Sequence, residues 1–314
     1  MVSAQDNDID SYTESDCCGN GCVNCVLNVK SISPIEITSK QNILRNYTKF
    51  TLKNKQPHTP LLPDVIELHF VYADVNDGAS EFCVHVPPGH HIMMKAFIED
   101  KVWLRPYSPF WVDTSKFEFK ILVNLKPQGL MSNYIENLSI GDKVKFRGPI
   151  GNFVHKTPSC DKCIYIITQG VAIAPTIPIV EQILHNEDDL TRVYHLNCFT
   201  DINHIYFRKN LNDFNKYWNY EGHIYLAHQV CSNEKCQNSG SCCGECEVFR
   251  KLLWYKEPAY TRRLTKTDLE KICCNNLNYQ KEFMISGAKE FQTSISEIIN
   301  EMNLVNEKED IILL

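Results

Sequence analysis

The stretch "WLRPYSPFW", residues 103–111, sets Arg105, Tyr107 and Ser108 close together, with Pro106 and Pro109 on either side of the Tyr-Ser pair. Proline fixes its own φ and pushes the residue before it into an extended conformation. The stretch is therefore a stiff, extended platform rather than a helix. It carries a permanent cation, a flat aromatic face and a small hydroxyl, a set that suits a ligand with a phosphate and a flat ring. A strand end whose arginine and aromatics only pack and snorkel would use the same residues, so the rest of the chain has to decide.

The chain has 314 residues, enough for two domains of ordinary size, and 43% of them are hydrophobic, enough for a real core. A net charge of -6 argues against a general nucleic-acid binder. No apolar run approaches the length needed to span a bilayer. The opening "MVSAQDNDIDSYTESD" is acidic and polar, lacks an apolar signal core, and has Val2 where myristoylation needs glycine. These features predict a cytoplasmic protein with no nucleic-acid partner and no membrane span. In such a compartment the 15 cysteines point to metal or redox chemistry rather than disulfides. Most fall in two clusters: Cys17, Cys18, Cys22 and Cys25, then Cys231, Cys236, Cys242, Cys243 and Cys246.

Three segments are expected: an acidic tail with the first cysteine cluster over residues 1–33, a strand-rich domain over 34–156, and an α/β domain over 157–314 with a cysteine-rich insert near 231–246. In the strand-rich part, "VIELHFVY" alternates, with Ile66, Leu68, Phe70 and Tyr72 on one face; "EFCVHV", "HIMMKAFI", "KFEFKILV" and "KVKFRG" follow between turns. One helix interrupts them, with Ser132 as a cap for "NYIENL". The pattern predicts an antiparallel barrel. From Cys163 the period changes. The continuous apolar "CIYIITQG" leads into a helix candidate "PTIPIVEQILHN", with Pro175 in its first turn and Pro178 near the tolerated limit. Strands and helices then alternate to "DIILL", with Thr265 and Asp268 as a capping pair for "KTDLEKICC". This alternation predicts a parallel sheet covered on both faces.

Two further motifs bear on a ligand. In "PQGLMSNYI", Gly129 permits close backbone approach, and the amides of Met131 and Ser132 would open a helix, where phosphates bind. "GDKVKFRGPIGNF" adds a strand between two turns. In the order "PGHHI", "RPYSPF", "GLMSNYIENLSIGDKVKFRGPIGNF", a strand-to-helix turn and a late "SGAKEF", the chain from about Val65 onward resembles the NADH–cytochrome b5 reductase family, within the larger group of ferredoxin–NADP reductase-like flavoenzymes. The match is closest to the reductase-like branch, which also carries a cysteine-rich N-terminal segment.

The resemblance implies a six-stranded antiparallel FAD-binding β-barrel followed by a Rossmann-like NAD-binding domain. Arg105 would pair with the FAD pyrophosphate, Pro106 and Tyr107 would line the cofactor, and Ser108 would sit near flavin N5. Ile121 and Val123 would lie beside the cofactor, and Gly129, Leu130, Met131 and Ser132 would hold the pyrophosphate at the helix start. On the nucleotide side it implies roles for Gly170, Ala174, Pro175 and Gly287, with Ser286 beside Ser108 as a catalytic position. The implied reaction carries electrons from NADH through FAD to a one-electron acceptor such as cytochrome b5. Asp201 would repel a 2′-phosphate and favour NADH, unless Arg208 reverses that.

The chain also departs from the family. It has Val123 and Leu130 where lysines are usual. It reads Gln169-Gly170-Val171-Ala172-Ile173-Ala174-Pro175 where Gly-Gly-Thr-Gly-Ile-Thr-Pro is usual, Ser286 in place of a cysteine, and Leu314 in place of an aromatic. These departures leave open an alternative, a flavin- or metal-binding interaction protein with impaired NADH reduction. Cys17, Cys22 and Cys25 have the spacing of a plant-type [2Fe–2S] site, and a zinc site shared with Cys242 and Cys246 would also use four thiolates. Free thiols in a tail and an inserted loop are the third possibility. His90 and His91 read as turn and strand residues rather than ligands.

Overall fold

The computed structural model describes residues 40–72, 81–158, 161–230, 242, 244, 246–274, 279–302 and 311–314. Its first half is built from β1 (Gln41–Asn42), β2 (Thr48–Thr59), β3 (Leu62–Val71), β4 (Phe82–Cys83), β5 (His91–Ile98), β6 (Lys101–Tyr107), β7 (Pro109–Asp113) and β8 (Glu118–Asn124), then helix α1 (Leu130–Asn137) and β9 (Lys143–Ile150). Seven of these strands form one antiparallel sheet in the order β6-β5-β9-β2-β3-β8-β7. The count is seven, not the six expected, because the Arg-Pro-Tyr-Ser-Pro stretch divides into two strands at Ser108.

That division closes the sheet. β6 and β7 are its two edge strands, yet only Ser108 separates them in the chain. One residue spans about 3.3 Å in extended form, so the edges must meet and the sheet must curl into a barrel. Its interior is filled by Phe50, Phe70, Phe119 and Phe146, all fully buried, with ring centroids 4.8–6.0 Å apart in mostly edge-to-face contacts. Such contacts add to the burial of the rings themselves.

The second half has β10 (Lys162–Gln169), a 3-10 turn Gly170–Thr176, α2 (Ile177–Leu184), β11 (Arg192–Phe199), α3 (Arg208–Phe214), β12 (Tyr220–Leu226), β13 (Ala259–Tyr260), β14 (Gln280–Ser286) and β15 (Ile311–Leu313), with further helices Glu247–Arg250, Lys266–Cys274 and Lys289–Glu301. The strands form a fully parallel sheet, ordered β13-β12-β11-β10-β14-β15. β10 lies near the middle and is covered on both faces, so Cys163 to Ile167 are all buried and read as an unbroken apolar run. One face packs Ile164, Ile166, Ile177 and Val180; the other stacks Tyr165 between Tyr194 and Phe283, with ring centroids 5.0 Å apart in each pair.

Three local readings change or hold. α2 starts at Ile177, with Pro178 in its first turn, because residues 170–176 form the tighter 3-10 turn and take up Pro175. α1 starts at Leu130 with Gly129 as its N-cap, so Ser132 lies inside the first turn, where its Oγ accepts from Lys126 N–H at 2.9 Å. Thr265 and Asp268 do form a capping box, their side chains each meeting the other's backbone N–H at 3.0 and 3.4 Å.

The two halves share an apolar contact. Val65, Leu122 and Phe153 from the first half, with the half-buried Leu62 and Phe110, pack in one cluster with Ile173, Ala174 and Ile177 from the second. A polar tie runs beside it. Glu67 faces His58 Nδ1 at 2.7 Å, and His58 Nε2 accepts the backbone N–H of Phe207 at 3.2 Å. Among the described residues no helix is long and apolar enough to cross a membrane.

Candidate functional site

The platform forms the seam of the barrel. Arg105 lies opposite Met94 on β5, and its Nη1 donates to the carbonyl of Leu104 at 2.8 Å. Its guanidinium lies 5.6 Å from the centre of the Trp103 ring. Tyr107 lies opposite Ile92 and packs on the barrel core; burial pushes its phenol well above the usual range, so it stays neutral. Ser108 is half-buried at the junction, and Phe110, two residues on, reaches the cluster shared with the 3-10 turn. The platform thus runs from the barrel seam to the second half.

At α1 the backbone turns abruptly before the helix: Gln128 has φ +63°, and Gly129 N–H donates to Lys126 carbonyl at 3.1 Å. A Cβ on Gly129 would lie 3.1 Å from Ser132 Oγ and 3.2 Å from the Lys126 carbonyl, so the tight entry itself favours glycine. The Asn133 amide makes the first intrahelical bond, to Gly129, at 2.9 Å. The amides of Leu130, Met131 and Ser132 are therefore the outward-pointing ones of the first turn. The Met131 side chain faces the other way, into the barrel core.

Ile121 and Val123 differ from expectation. Their side chains belong to the barrel interior with Ile66, Phe119 and Met131, whereas Leu122 between them faces the second half with Val65 and Ile173. A strand buried on both faces sends alternate residues to opposite sides. Of these three side chains, Leu122 is the one that packs in the cluster shared with the second half.

On the nucleotide side, Gly170 has φ +59° with open space where a Cβ would stand. Ala174 and Pro175 are buried by the 3-10 turn, and Ala174 packs in the apolar cluster with Leu122 and Ile177. The Ala174 side chain is used in that packing rather than left open at the surface. Ser286 pairs with Thr168 across β10 and β14 and is only 2% exposed. Thr168 Oγ1 donates to Asn197 Oδ1 at 2.9 Å, which continues a polar row at the carboxyl ends of the central strands. Gly287 follows, closely approached by the Phe291 ring and by Gln169. Leu314 donates its N–H to Ile285 at 2.9 Å and accepts from Gln292 Nε2 at 2.7 Å.

Asp201 caps the turn after β11, accepting from Asn203 N–H at 2.8 Å and facing His204 Nδ1 at 2.9 Å. Arg208 does not oppose it. Its guanidinium grips Glu257 through Nε at 2.7 Å and through Nη2, donates to Leu252 carbonyl at 2.8 Å, and lies 4.8 Å from the Trp254 ring centre. Neither this engagement nor the Glu67–His58–Phe207 tie had a local sequence signal. His90 and His91 are buried; burial, reinforced by the neighbouring His90, pulls His91 down to about 4.

Cys17, Cys22 and Cys25 lie outside the described residues. Cys242 and Cys246 are buried with their Sγ atoms 3.5 Å apart, and Cys246 Sγ accepts Phe249 N–H at 3.4 Å. Cys242 N–H donates to Gln229 carbonyl at 2.8 Å, and Gln229 Oε1 accepts from Ile202 N–H at 2.8 Å, so the pair sits beside the Asp201 turn. Among the described residues no group of three or more metal-ligating side chains is assembled.

Comparison with known proteins adds three findings. The family model described as an oxidoreductase FAD-binding domain matches residues 78–155, which include the platform and α1. The chain is 26% identical over 232 residues to a human protein named NADH-cytochrome b5 reductase-like, covering 70% of this chain and 73% of that one; the mouse protein of the same name is 25% identical over 236 residues, covering 69% and 72%. The fold matches that of the cytochrome b5 reductase domain of Ulva prolifera nitrate reductase with a TM-score of 0.65 and 18% identity, over 86% of this chain and 98% of that one.

Proposed function

We propose that this chain, a relative of the NADH-cytochrome b5 reductase-like proteins carrying the oxidoreductase FAD-binding domain, is an FAD-dependent oxidoreductase that passes electrons from NADH to a one-electron acceptor of the cytochrome b5 type. The observation that carries this reading is the seam. Arg105, Tyr107 and Ser108 stand where the barrel closes, and Phe110 leads from there to the turn that follows β10.

The residues present fit FAD. A guanidinium on a rigid strand and the first amides of α1 are the donor chemistry that a pyrophosphate takes. Arg105 and the amides of Leu130, Met131 and Ser132 would hold that group, and the neutral Tyr107 would offer a flat face. FAD supplies the chemistry of accepting a hydride from NADH and releasing electrons one at a time. The chain's own part is to orient it. Ser108 offers a hydroxyl at the seam, Ser286 and Gly287 close the far side, and the packed Leu122, Ile173 and Ala174 keep water out of the contact between halves. With Arg208 held by Glu257, Asp201, two residues past the carboxyl end of β11, would favour a ribose hydroxyl over a 2′-phosphate. The division of the chain near residue 156 into FAD- and NAD-binding parts belongs to the same reading.

The test is NADH-dependent reduction of cytochrome b5 by the FAD-loaded protein, with NADPH in parallel. Faster turnover with NADH supports the proposal; no transfer from either nucleotide contradicts it.

A metal at the second cysteine cluster is the finer part of the cofactor proposal. Two thiolates on one tetrahedral zinc, with Zn–S of ~2.3 Å, lie about 3.8 Å apart. The Cys242–Cys246 separation of 3.5 Å is near that value and far from a disulfide bond of ~2.05 Å. Metal analysis of the full chain against Cys242→Ser/Cys246→Ser decides it: zinc or iron in the first and not the second supports the site, and no metal in either rejects it.

A further inference from the structure

Strand order reverses at β10, with β11 on one side and β14 on the other. In open parallel sheets the loops leaving such a pair diverge and open a crevice at the carboxyl ends, where ligands bind. Thr168 and Ser286 are paired across the two strands, so Gln169 and Gly287 stand at the lips of that crevice.

The Gln169 side chain spans it. Its Oε1 accepts the backbone N–H of Ala288 at 3.3 Å. Its stem rests on Gly287, where an added Cβ would stand 3.0 Å from Gln169 Cβ and 2.6 Å from Phe291 Cδ1. Ala288 is the N-cap of the helix Lys289–Glu301 and offers no side chain to cap it. The contact therefore uses an amide at the helix end that faces the crevice, one that a nucleotide phosphate would otherwise take. Gln169 is exposed, and the bridge lies on the open side, while Ser286 beneath it is buried.

We propose that Gln169 is a latch across the dinucleotide crevice and an affinity-determining residue: NADH enters by displacing its carboxamide from Ala288. This rests on the reading that the crevice takes NADH. The latch holds by one neutral hydrogen bond plus the packing of its stem. A hydrogen bond of ordinary net strength corresponds to about a 3- to 10-fold change in affinity.

The experiment uses the full chain loaded with FAD and titrates NAD+ by calorimetry, in the native protein and in Gln169→Ala, Gln169→Asn and Gln169→Glu. Melting temperature and FAD content are measured alongside. The latch predicts that Gln169→Ala binds NAD+ about 3- to 10-fold more tightly. The shorter Gln169→Asn should follow it, because its carboxamide no longer reaches Ala288. Gln169→Glu should bind more weakly than the native protein, because it keeps the acceptor and adds a charge that repels phosphate. In Gln169→Ala the KM for NADH should fall while the limiting rate of flavin reduction holds. Unchanged or weaker NAD+ binding by folded, FAD-loaded Gln169→Ala overturns the latch while leaving the crevice intact. If neither native protein nor variant binds NAD+ with FAD in place, the crevice reading fails and the latch falls with it.

Discussion

Tyr107 and Pro109 stand one residue apart in the chain and on opposite edges of the seven-stranded sheet. Ser108 between them is where the barrel closes. The two prolines keep this crossing extended and unable to relax into a helix. A ligand bound to the Arg105 side and one bound to the Phe110 side would therefore meet across a single rigid residue, which suits a reaction that depends on close alignment.

Arg105→Ala is expected to lower FAD retention. A charge-assisted contact to phosphate contributes about 1.5–3 kcal/mol, or roughly 10- to 150-fold in affinity. Flavin content after dialysis measures it. Retention equal to the native protein would place the pyrophosphate elsewhere.

Ile121→Ala should act on stability before it acts on flavin. The side chain is fully buried in the barrel interior, and removing three methyl or methylene groups there costs about 2–5 kcal/mol. Chemical unfolding of the FAD-free protein should show that loss. If stability is unchanged and FAD alone is lost, the side chain faces the cofactor after all.

His58→Ala should loosen the join between the halves. It removes the acceptor for Phe207 N–H and the ring that lies 5.0 Å from the Phe207 ring. The expected cost is about 1–3 kcal/mol, since a buried N–H is left unpaired. Faster amide exchange at Phe207 than in the native protein checks it. Unaltered exchange would mean that the packed Phe110 and Tyr206 alone hold the segment.

Asp268 carries the clearest acid dependence. Arg262 donates twice to its carboxylate, and with Thr265 it outweighs burial and holds the group down at about 2. A depressed carboxylate stabilises the fold above its unfolded pKa of ~3.9, and that contribution disappears as pH falls through about 2. Arg262 is half-exposed, which screens the pair, so Asp268→Asn should cost only about 1–2 kcal/mol at pH 7. The gap between native and variant in urea unfolding should narrow from pH 5 to pH 2. A gap independent of pH would assign the loss to the capping bonds alone.

Part of this architecture was readable from local chemistry. The continuous apolar run of β10 needs no partner to be recognised, and the prolines around Tyr107 restrict the backbone whatever surrounds them. β2 was not readable. After Phe50 and Leu52 it runs through Lys53, Asn54, Lys55 and Gln56, and only its pairing with β3 and β9 makes it a strand. The phase of β8 was hidden for a different reason. Ile121, Leu122 and Val123 are all buried, so alternation cannot say which face each takes. The engagements of Gln169 with Ala288 and of Arg208 with Glu257 join residues 119 and 49 positions apart, and nothing local announces such partners.

The central claim is that this chain binds FAD at the seam and accepts electrons from NADH. An absorption spectrum of the purified protein, taken without oxygen before and after NADH is added, tests it most directly. The account predicts flavin bands that bleach on addition. Flavin bands that persist at saturating NADH would contradict the electron-transfer role, and a colourless protein that does not take up added FAD would contradict the whole reading.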